Sequence, residues 1–362
     1  MENKTAPARD GIRPGLTPVS APLENLESPI QVMNSWVTPN ELFYVRNHLP
    51  YPEITLNSWK LSVDGLVGES FTLGYEDLRV LPQVSRYVTF ECAGNRRGGL
   101  PVPAPGPQWN NGAVGNAKWT GVPLLAVLDR AGILPAAAEI VFTGADTGSR
   151  ADVSGQFSYI RSLPNDRGLL KECLLALAMN DEPLPLQHGF PLRLIVPGWY
   201  GMAHVKWLTG ITATDVPFRG PWQAFDYVYV TDEDDYASAI PVTEMKVNSI
   251  ITWPFTGQLV KQGSHTVTGV AWSGSGSIAG IQVSVDGGVT WQDARLTSQE
   301  HTAATWTFWR YPWAVEKPGR YTVMARAEDS GGNRQPLQSR WNAKGYGNNG
   351  IHTIQLTVPK PE

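Results

Sequence analysis

The stretch IAGIQVSVDGGVTWQDARLT, residues 278–297, reads as two short strands joined at the turn Asp286-Gly287-Gly288. Alternating apolar and polar residues have the period of a β-strand with one buried face, and an Asp-Gly pair between such runs is typical of a hairpin. Similar runs lie on both sides of it, separated by Gly, Pro and Asp turns: VNSIITWP, HTVTGVAWSG, ATWTFWRYPWAV, GRYTVMARAEDSGGN and IHTIQLTV. Helical patterns are missing here, so the sequence predicts a β-sandwich of immunoglobulin type, without its disulfide, over residues 243–362.

The sequence before this region contains two kinds of secondary-structure pattern. Residues 41–242 combine strand-like and helix-like segments, which predicts an α+β protein: a mixed α/β domain followed by the sandwich. The strand predictions include SRYVTFECAG (85–94) and AEIVFTGADTG (138–148), and the helix predictions are VPLLAVLDRAG (122–132), with a stop at Gly132, and LLKECLLALAMN (169–180). Residues 1–40 are rich in proline and polar residues, and we expect an extended segment that covers the surface.

Bulk composition limits the class of protein. The 362 residues suggest about two domains, and 42% hydrophobic and 17% charged residues are ordinary for a globular chain. The formal net charge of −4 argues against nucleic acid as the main partner, although it allows a local anion site. The start, MENKTAPARDGIRPGL, has no apolar signal core and no twin-arginine pair, and no run is long enough for a membrane span. We therefore expect a cytoplasmic protein.

The stretch FECAGNRRGG, residues 90–99, is the most informative for function. It places Cys92, one of two cysteines, after a strand-like run and beside Arg96 and Arg97. Positive charge favours the thiolate, which serves as a nucleophile, a redox centre or a metal ligand. A plain buried cysteine is the alternative; it is the better interpretation for Cys173, which falls on the apolar stripe of a predicted helix.

Several other loops present cationic side chains. Arg46 and His48 flank Asn47 before a proline, where they fit either an anion site or an ordinary surface loop. His188, Arg193, His204 and Lys206 lie among glycines near strand ends, a pattern that suits a phosphate or dianion, although His204 and Lys206 also fit a satisfied polar pair. No Walker or dinucleotide motif accompanies them.

For three further features, the sequence does not decide between a functional and a structural role. Tyr227, in WQAFDY, is either a site hydroxyl or a buried aromatic residue. Lys344 lies in a Gly/Asn-rich turn and matters only if it reaches the first domain. The acidic run 232–235 is either a solvated loop or a docking patch for a basic partner. One soft sulfur among scattered cations suggests a soft metal that is carried by an anionic cofactor.

These residues also carry a family resemblance. The motifs are FYVRNHLP (43–50), CAGNRR (92–97), QHGFPLRLIVPG (187–198), HVKW (204–207) and WQAFDY (222–227), followed by the sandwich. In this order and spacing the chain resembles the sulfite oxidase family of molybdenum enzymes over nearly its full length. The resemblance implies a molybdopterin cofactor whose metal takes Cys92 as its one protein ligand, and a sandwich that forms a homodimer.

The resemblance also implies roles for the other residues. The pterin and its phosphate would be held by Arg46, His48, Asp146, His188, Arg193, His204 and Lys206. The anion pocket would use Arg46, Arg97, Tyr227 and Trp109, which lies ten residues before Trp119 as the pocket tryptophan of the family does. The animal members carry an arginine where this chain has Lys344, and lysine keeps the charge but loses the bidentate fork.

The function that follows is oxidation of sulfite to sulfate by oxygen-atom transfer. The sequence contains neither a C-x-x-C-H motif nor a cytochrome b5-like segment, so we expect no haem in this chain and a separate electron acceptor, for example a cytochrome c. Two alternatives stay open. One is another reaction on the same cofactor, such as sulfane-sulfur oxidation or reduction of a sulfoxide or nitrate. The other is a non-catalytic immunoglobulin-like binding protein in which Cys92 is inert.

Overall fold

A computed structural model describes residues 15–232, 236–297 and 304–360. Three residues of the acidic run, Glu233, Asp234 and Asp235, lie outside this part, so the prediction of a loop or docking patch there stays a prediction.

The first unit is built from short strands. In chain order they are β1 (Thr17–Ser20), β2 (Asn25–Glu27), β3 (Leu61–Gly65), β4 (Phe71–Leu73), β5 (Val84–Glu91), β6 (Val114–Pro123), β7 (Glu139–Gly148), β8 (Phe157–Pro164), β9 (Leu174–Met179), β10 (Glu182–Pro183), β11 (Arg193–Ile195), β12 (Leu208–Thr214), β13 (Val228–Tyr229) and β14 (Ile240–Pro241). One sheet has the order β10-β9-β6-β5, with β11 also paired to β9. The other has the order β4-β3-β12-β7-β8, in which only the β3–β12 pair is parallel.

Helices contribute less to this unit than the sequence predicts. Within the described residues the α-helices are α1 (Tyr75–Arg79), α2 (Leu124–Ala131) and α3 (Arg167–Leu170). The α2 prediction is confirmed, and Gly132 ends the helix in the left-handed region with φ +66°. Single turns of 3-10 helix lie at Ile30–Asn34, Asn40–Leu42, Arg97–Gly99, Leu186–His188 and Gly201–Ala203, and a π turn lies at Trp222–Asp226.

The helix prediction for residues 169–180 is wrong. Only the end of α3 falls there, and Leu174–Met179 forms β9, which pairs with β6 on one side and with β10 and β11 on the other. The run LLALAM is apolar at every position because a strand covered on both faces does not alternate. Cys173 precedes β9 and is fully buried, so its assignment to the core is confirmed although its helix is not.

The second unit consists of two antiparallel sheets that share one apolar core. Its strands are β15 (Asn248–Trp253), β16 (Gly263–Trp272), β17 (Ile278–Ser284), β18 (Gln292–Asp293), β19 (Arg295–Leu296), β20 (Thr307–Val315), β21 (Gly319–Asp329) and β22 (His352–Val358). The sheet orders are β15-β16-β20-β19 and β18-β17-β21-β22. Val267 and Trp309 from the first sheet pack in one cluster with Ile281 and Val323 from the second. The immunoglobulin type of this two-sheet unit stays a prediction.

The segment before residue 41 contributes to the interior as well as to the surface. Asn25 and Glu27 are buried, and Met33 is fully buried in the main core. The Asn34 side chain accepts a hydrogen bond of 2.6 Å from Thr252 of β15. This stretch therefore contacts both units.

The two units meet along a continuous apolar and polar contact. Ile250, Trp272 and Trp306 belong to the same core cluster as the first unit. Glu91, at the end of β5, accepts hydrogen bonds from Trp272 Nε1 at 3.0 Å and Asn248 Nδ2 at 3.1 Å. The second unit thus fixes the strand that leads into Cys92.

Candidate active site

Cys92 lies immediately after β5, where the strand turns into the loop 92–100. Its backbone N–H donates to Ala113 O at 2.8 Å, and its carbonyl accepts from Asn95 N at 2.8 Å. Arg96 then adopts φ +64°, and its side chain donates to Asn248 Oδ1 and Gly350 O of the second unit. The loop is therefore held from both units.

A glycine lets Arg97 fold back over this loop. A Cβ at Gly94 would lie 2.9 Å from three atoms of the Arg97 guanidinium group. Gly94 therefore allows this close approach, whereas a Cβ at Gly99 would meet nothing within 4 Å.

Cys92 opens onto a pocket of about 620 Å³, counted up to its solvent mouth, which we call the Cys92 pocket. Nine of the residues named from the sequence line it: Arg46, His48, Cys92, Asp146, His188, Arg193, His204, Lys206 and Tyr227. They come from six separate segments of the first unit, which the fold brings to one place. Aromatic side chains fill much of the remaining wall, among them Phe43, Tyr44, Phe90, Tyr159 and Trp207.

Arg97, Trp109 and Lys344 lie outside this lining. Arg97 donates to Pro107 O at 2.9 Å and Lys344 O at 3.0 Å, and its guanidinium lies 5.1 Å from the centre of the Tyr346 ring. Trp109 is fully buried, and its Nε1 has no hydrogen-bond partner. The Lys344 ammonium lies 5.4 Å from the centre of the Tyr236 ring. Lys344 thus reaches the first unit twice, through its carbonyl at Arg97 and through its ammonium at Tyr236.

The expectation that positive charge makes Cys92 a thiolate is wrong for the chain alone. Burial raises the pKa of the Cys92 thiol, and the opposing charges of Arg46 and Arg97 do not cancel this effect. Metal binding at sulfur would deprotonate the thiol, because a coordinated thiol loses its proton.

His48 and Tyr227 form a hydrogen-bonded pair at the pocket wall. The His48 Nε2 and Tyr227 Oη atoms are 2.6 Å apart, and the His48 ring stacks on Tyr159 with centroids 4.8 Å apart. Burial lowers the pKa of His48 well below its ordinary value, and the charge of Arg46 adds to this effect. Burial raises the pKa of Tyr227, so both members of the pair are neutral near pH 7.

Asp146 and Lys206 form a buried pair of opposite charge. Burial raises the pKa of Asp146 to about 6 and lowers that of Lys206, while the attraction between the two opposes both shifts. Lys206 donates to Gln187 O at 3.0 Å and to Asn47 Oδ1. The Asp146 Oδ1 atom is buried and has no hydrogen-bond partner.

Arg193 connects the two segments that contain His188 and His204. Its two terminal nitrogens donate to His188 O at 2.9 Å and His204 O at 3.1 Å. Burial lowers the pKa of Arg193 to about 10, and its Nε atom has no partner. His204 accepts a hydrogen bond from Val196 N at Nδ1 and donates to Trp199 O through Nε2. Both ring nitrogens of His204 are therefore satisfied by the chain itself.

Sequence reasoning also missed two polar residues that contact this site from outside the pocket lining. Arg161, in β8, is buried; its guanidinium lies 5.5 Å from the centre of the Tyr227 ring and donates to Trp222 O. A signal existed, because Arg161 shares an inward face with Tyr159 and Leu163 in an alternating strand. Asn25 accepts from Arg46 at 3.2 Å and from Asn47 N at 2.9 Å, and nothing local in the sequence indicates that contact.

The residues present fit a molybdopterin cofactor. A single thiol meets a pocket of cationic side chains, which suits a metal bound to an anionic, phosphate-bearing group. The unpartnered Asp146 Oδ1 is an acceptor for an N–H group of a pterin ring. Within 15–232, 236–297 and 304–360, no three His, Cys, Asp or Glu side chains cluster closely enough to hold a metal ion.

Comparisons with known proteins agree with this site. The chain matches the model of the oxidoreductase molybdopterin binding domain over residues 48–222 and that of the Mo-co oxidoreductase dimerisation domain over residues 239–359. Mitochondrial sulfite oxidase of Homo sapiens is 35% identical over 387 residues, 99% of this chain and 70% of that protein. Sulfite oxidase of Arabidopsis thaliana is 32% identical and covers 92% of each chain.

Two further relatives broaden the picture. Inducible nitrate reductase [NADH] 1 of Glycine max is 31% identical over 93% of this chain and 41% of that protein. The crystal structure of the sulfane dehydrogenase SoxCD from Paracoccus pantotrophus superposes with a TM-score of 0.80 at 28% identity, over 95% of this chain and 88% of that one.

Fold, site and relatives define a molybdopterin-dependent oxidoreductase that acts on sulfur compounds. The chain belongs to the sulfite oxidase family of these enzymes. The predictions of that family and of a molybdenum–molybdopterin cofactor are thereby confirmed, and the alternative of a non-catalytic binding protein is not retained. No helix of the described residues is long and apolar enough to cross a membrane.

Proposed function

We propose that this enzyme oxidises sulfite to sulfate and passes the electrons to a separate acceptor. The observation that carries the proposal is that Cys92, Arg46 and Tyr227 line one pocket. A metal on the Cys92 sulfur would then face a guanidinium and a hydroxyl, which are groups that bind an oxyanion. The sulfite oxidases among its relatives support the same substrate.

The reaction balances as sulfite plus water giving sulfate, two electrons and two protons. The molybdenum cofactor, when bound, supplies the oxygen-atom transfer and accepts the two electrons. The residues of this chain would bind the sulfite anion, orient it and accept the protons that the reaction releases.

Arg46 and Arg97 are the cations for the substrate. Both charges act on Cys92, because each lowers the pKa of its thiol. Arg46 lines the pocket, whereas Arg97 is engaged by two carbonyls and would contribute its charge from the second layer of the wall. Charge-assisted hydrogen bonds are strongest where water is excluded, and the buried side chains of Tyr159 and Tyr227 line this pocket.

Tyr227 is the hydroxyl that would contact an oxygen of the anion. Its pKa is raised, so it keeps its proton and remains able to donate a hydrogen bond. Neutral His48 fixes the position of this hydroxyl at 2.6 Å. Trp109 and Lys344 lie outside the lining and would support the proposed substrate pocket from behind it.

The cofactor would be held by cationic and neutral side chains of the same pocket. Lys206 and Arg193 would face its phosphate, and Asp146 would accept from its pterin. Arg46 and the three histidines would complete the cradle, namely His48, His188 and His204.

The assembly is part of the proposal. The match to the dimerisation domain over residues 239–359 supports a homodimer. Electrons would leave to a separate protein, for which a cytochrome c is one candidate.

Oxidation of a sulfane sulfur is a second candidate. It is favoured by the similarity to the sulfane dehydrogenase SoxCD and by Lys344, whose ammonium lies against Tyr236. A pocket with one fewer guanidinium group would hold sulfite less tightly.

Elemental analysis of the purified holoenzyme, combined with dye reduction, tests the proposal. We expect about one molybdenum per chain and dye reduction that depends on sulfite. Thiosulfate as donor tests the sulfane alternative, and nitrate and dimethyl sulfoxide with reduced dye test the reductase alternatives. Full molybdenum content without sulfite-dependent reduction would overturn the proposal.

A further inference from the structure

A second pocket lies beside the loop 342–348, and we call it the Lys246 cleft. It measures about 1060 Å³ up to its open mouth. Its walls come from β13, β14, the segment before β15 and the residues before the loop; the lining side chains include Tyr229, Ile240, Lys246, Arg340, Trp341 and Asn342. None of these residues belongs to the Cys92 pocket.

Two cations line the cleft, Lys246 and Arg340. In the described parts of the chain no carboxylate lies within ion-pair distance of Lys246 or Arg340. Burial lowers the pKa of Lys246, the charge of Arg340 lowers it further, and the charge of Glu91 opposes the shift; the two cations therefore repel each other. A bound anion between them would relieve that repulsion.

A hydroxyl group points to the same ligand. The Tyr229 hydroxyl is buried beside the Tyr200 hydroxyl and interacts with it. A Cβ at Gly347 would lie 2.6 Å from this hydroxyl and 3.1 Å from Lys246 Nζ, so both donors border the same small space. The Lys246 ammonium also lies 4.5 Å from the centre of the Tyr229 ring. An ammonium, a guanidinium and a hydroxyl form a donor set that binds small oxyanions, and no carboxylate of the described residues lies within ion-pair distance of the two cations.

We propose that the Lys246 cleft binds an oxyanion of the sulfate class, separately from the Cys92 pocket. The cleft is open and is bordered by exposed apolar side chains, with Trp341 40% and Ile240 62% exposed. It therefore takes an anion that exchanges freely with solvent and forms no covalent bond to the chain.

The loop 342–348 connects the cleft to the catalytic residues. Asn342 lines the cleft and holds the Tyr346 backbone by two hydrogen bonds, of 2.8 and 3.0 Å. Tyr346 stacks on Tyr227 with centroids 5.1 Å apart, and Lys344 O accepts from Arg97. An anion in the cleft would stiffen the loop that holds Arg97. That consequence for turnover rests on the proposed function, whereas the binding itself does not.

Calorimetric titration of sodium sulfate into the oxidised holoenzyme, at constant ionic strength, tests the site. We expect a class of sulfate binding whose affinity falls about tenfold or more in Lys246→Met and in Arg340→Gln, since each variant removes a charged hydrogen-bond donor. Lys246→Arg keeps the charge and should retain most of the affinity. Lys317→Met, at an exposed lysine between β20 and β21, serves as the matched control and should leave binding unchanged.

Two outcomes would overturn the proposal. One is sulfate binding that is unchanged in both Lys246→Met and Arg340→Gln, which would assign all sulfate to the Cys92 pocket. The other is the absence of measurable sulfate binding to the wild-type enzyme. Failure of sulfite-dependent dye reduction would leave this test intact, because the titration measures binding without turnover.

Discussion

At the level of the single residue, Cys92 shows how burial and charge compete. The side chain is 6% exposed, and the loss of hydration raises the thiol pKa more than two guanidinium groups lower it. The same burial makes the residue a suitable ligand, because a coordinated thiolate is protected from solvent and from exchange with other thiols. In the proposed function Cys92 would therefore act as a metal ligand and not as an intrinsically reactive sulfur.

Replacement of Cys92 by serine tests this dependence. We expect Cys92→Ser to abolish sulfite-dependent dye reduction while circular dichroism and the unfolding midpoint stay close to those of the wild type, because a hydroxyl of similar size replaces a buried thiol. Cys173→Ser is the control at a buried cysteine outside the site and should remain active. Activity of Cys92→Ser at full molybdenum content would contradict the ligand assignment.

Arg97 provides a second test at this scale. We expect Arg97→Gln to raise the apparent KM for sulfite by about tenfold or more, because an amide removes a charge that acts on the pocket. Steady-state kinetics measures this change, with Arg310→Gln, at an exposed position of β20, as the control. A KM equal to that of the wild type would remove Arg97 from the substrate site.

At the level of the element, β6 and β9 form the support of the site. β6 pairs with β5, which ends at Cys92, and β9 pairs with β11, which holds Arg193. Gly121 marks a close approach of β6 and β9: a Cβ there would lie 2.0 Å from Leu175 O. The register shift between Thr120 and Gly121 falls at the same point. The strands can pair here only because Gly121 has no side chain.

Gly121→Ala tests the role of this close approach. We expect the free energy of unfolding to fall by about 1–3 kcal/mol, because the methyl group must displace backbone of β9. Gly280→Ala in β17 is the matched control, since a Cβ there would meet nothing within 4 Å. Denaturant unfolding measures both variants, and equal stability of the two would show that the strands separate at no cost.

At the level of the whole molecule, the second unit directly supports the loop 92–100, which begins at Cys92. Burial raises the pKa of Glu91 to about 7, and its hydrogen bonds with Asn95, Trp272 and Asn248 oppose that rise. Arg96 reaches Gly350, and Gly347 N donates to Ala93 O beside Cys92. The two units therefore form one structural support for the site.

A buried histidine of the second unit gives the molecule a predictable acid sensitivity. The pKa of His352 is lowered by burial to about 3, while its Nδ1 atom accepts from Ile251 N at 3.0 Å. The unfolded chain binds this proton from its ordinary pKa of about 6.5 downward. The contribution of His352 to the free energy of unfolding is therefore fully present above pH 6.5. It falls by about 1.4 kcal/mol per pH unit between that value and pH 3.

The variant His352→Gln isolates this contribution. We expect its free energy of unfolding to depend on pH less steeply than that of the wild type, by about one proton, between pH 6 and 4. Denaturant unfolding at several pH values measures the slope. Identical slopes in the two proteins would show that His352 is protonated in the folded state.

The sequence by itself determined the strands of the second unit, the end of α2 at Gly132, the family and nine side chains that line the Cys92 pocket. The strands and the helix end follow from local patterns, namely alternation and turn residues, whereas the family and the pocket residues follow from the resemblance of short motifs to the sulfite oxidase family. Tertiary structure alone decided that residues 174–179 form a strand and that Cys92 is protonated in the absence of metal. It also decided that Arg161 and Asn25 contact the site, and that Arg97 donates to the carbonyl of the distant Lys344. The reason is that each of these outcomes depends on burial or on a partner far away in the chain. Desolvation and non-local hydrogen bonds are not encoded in the neighbouring residues of a sequence, and they exist only after the chain has folded.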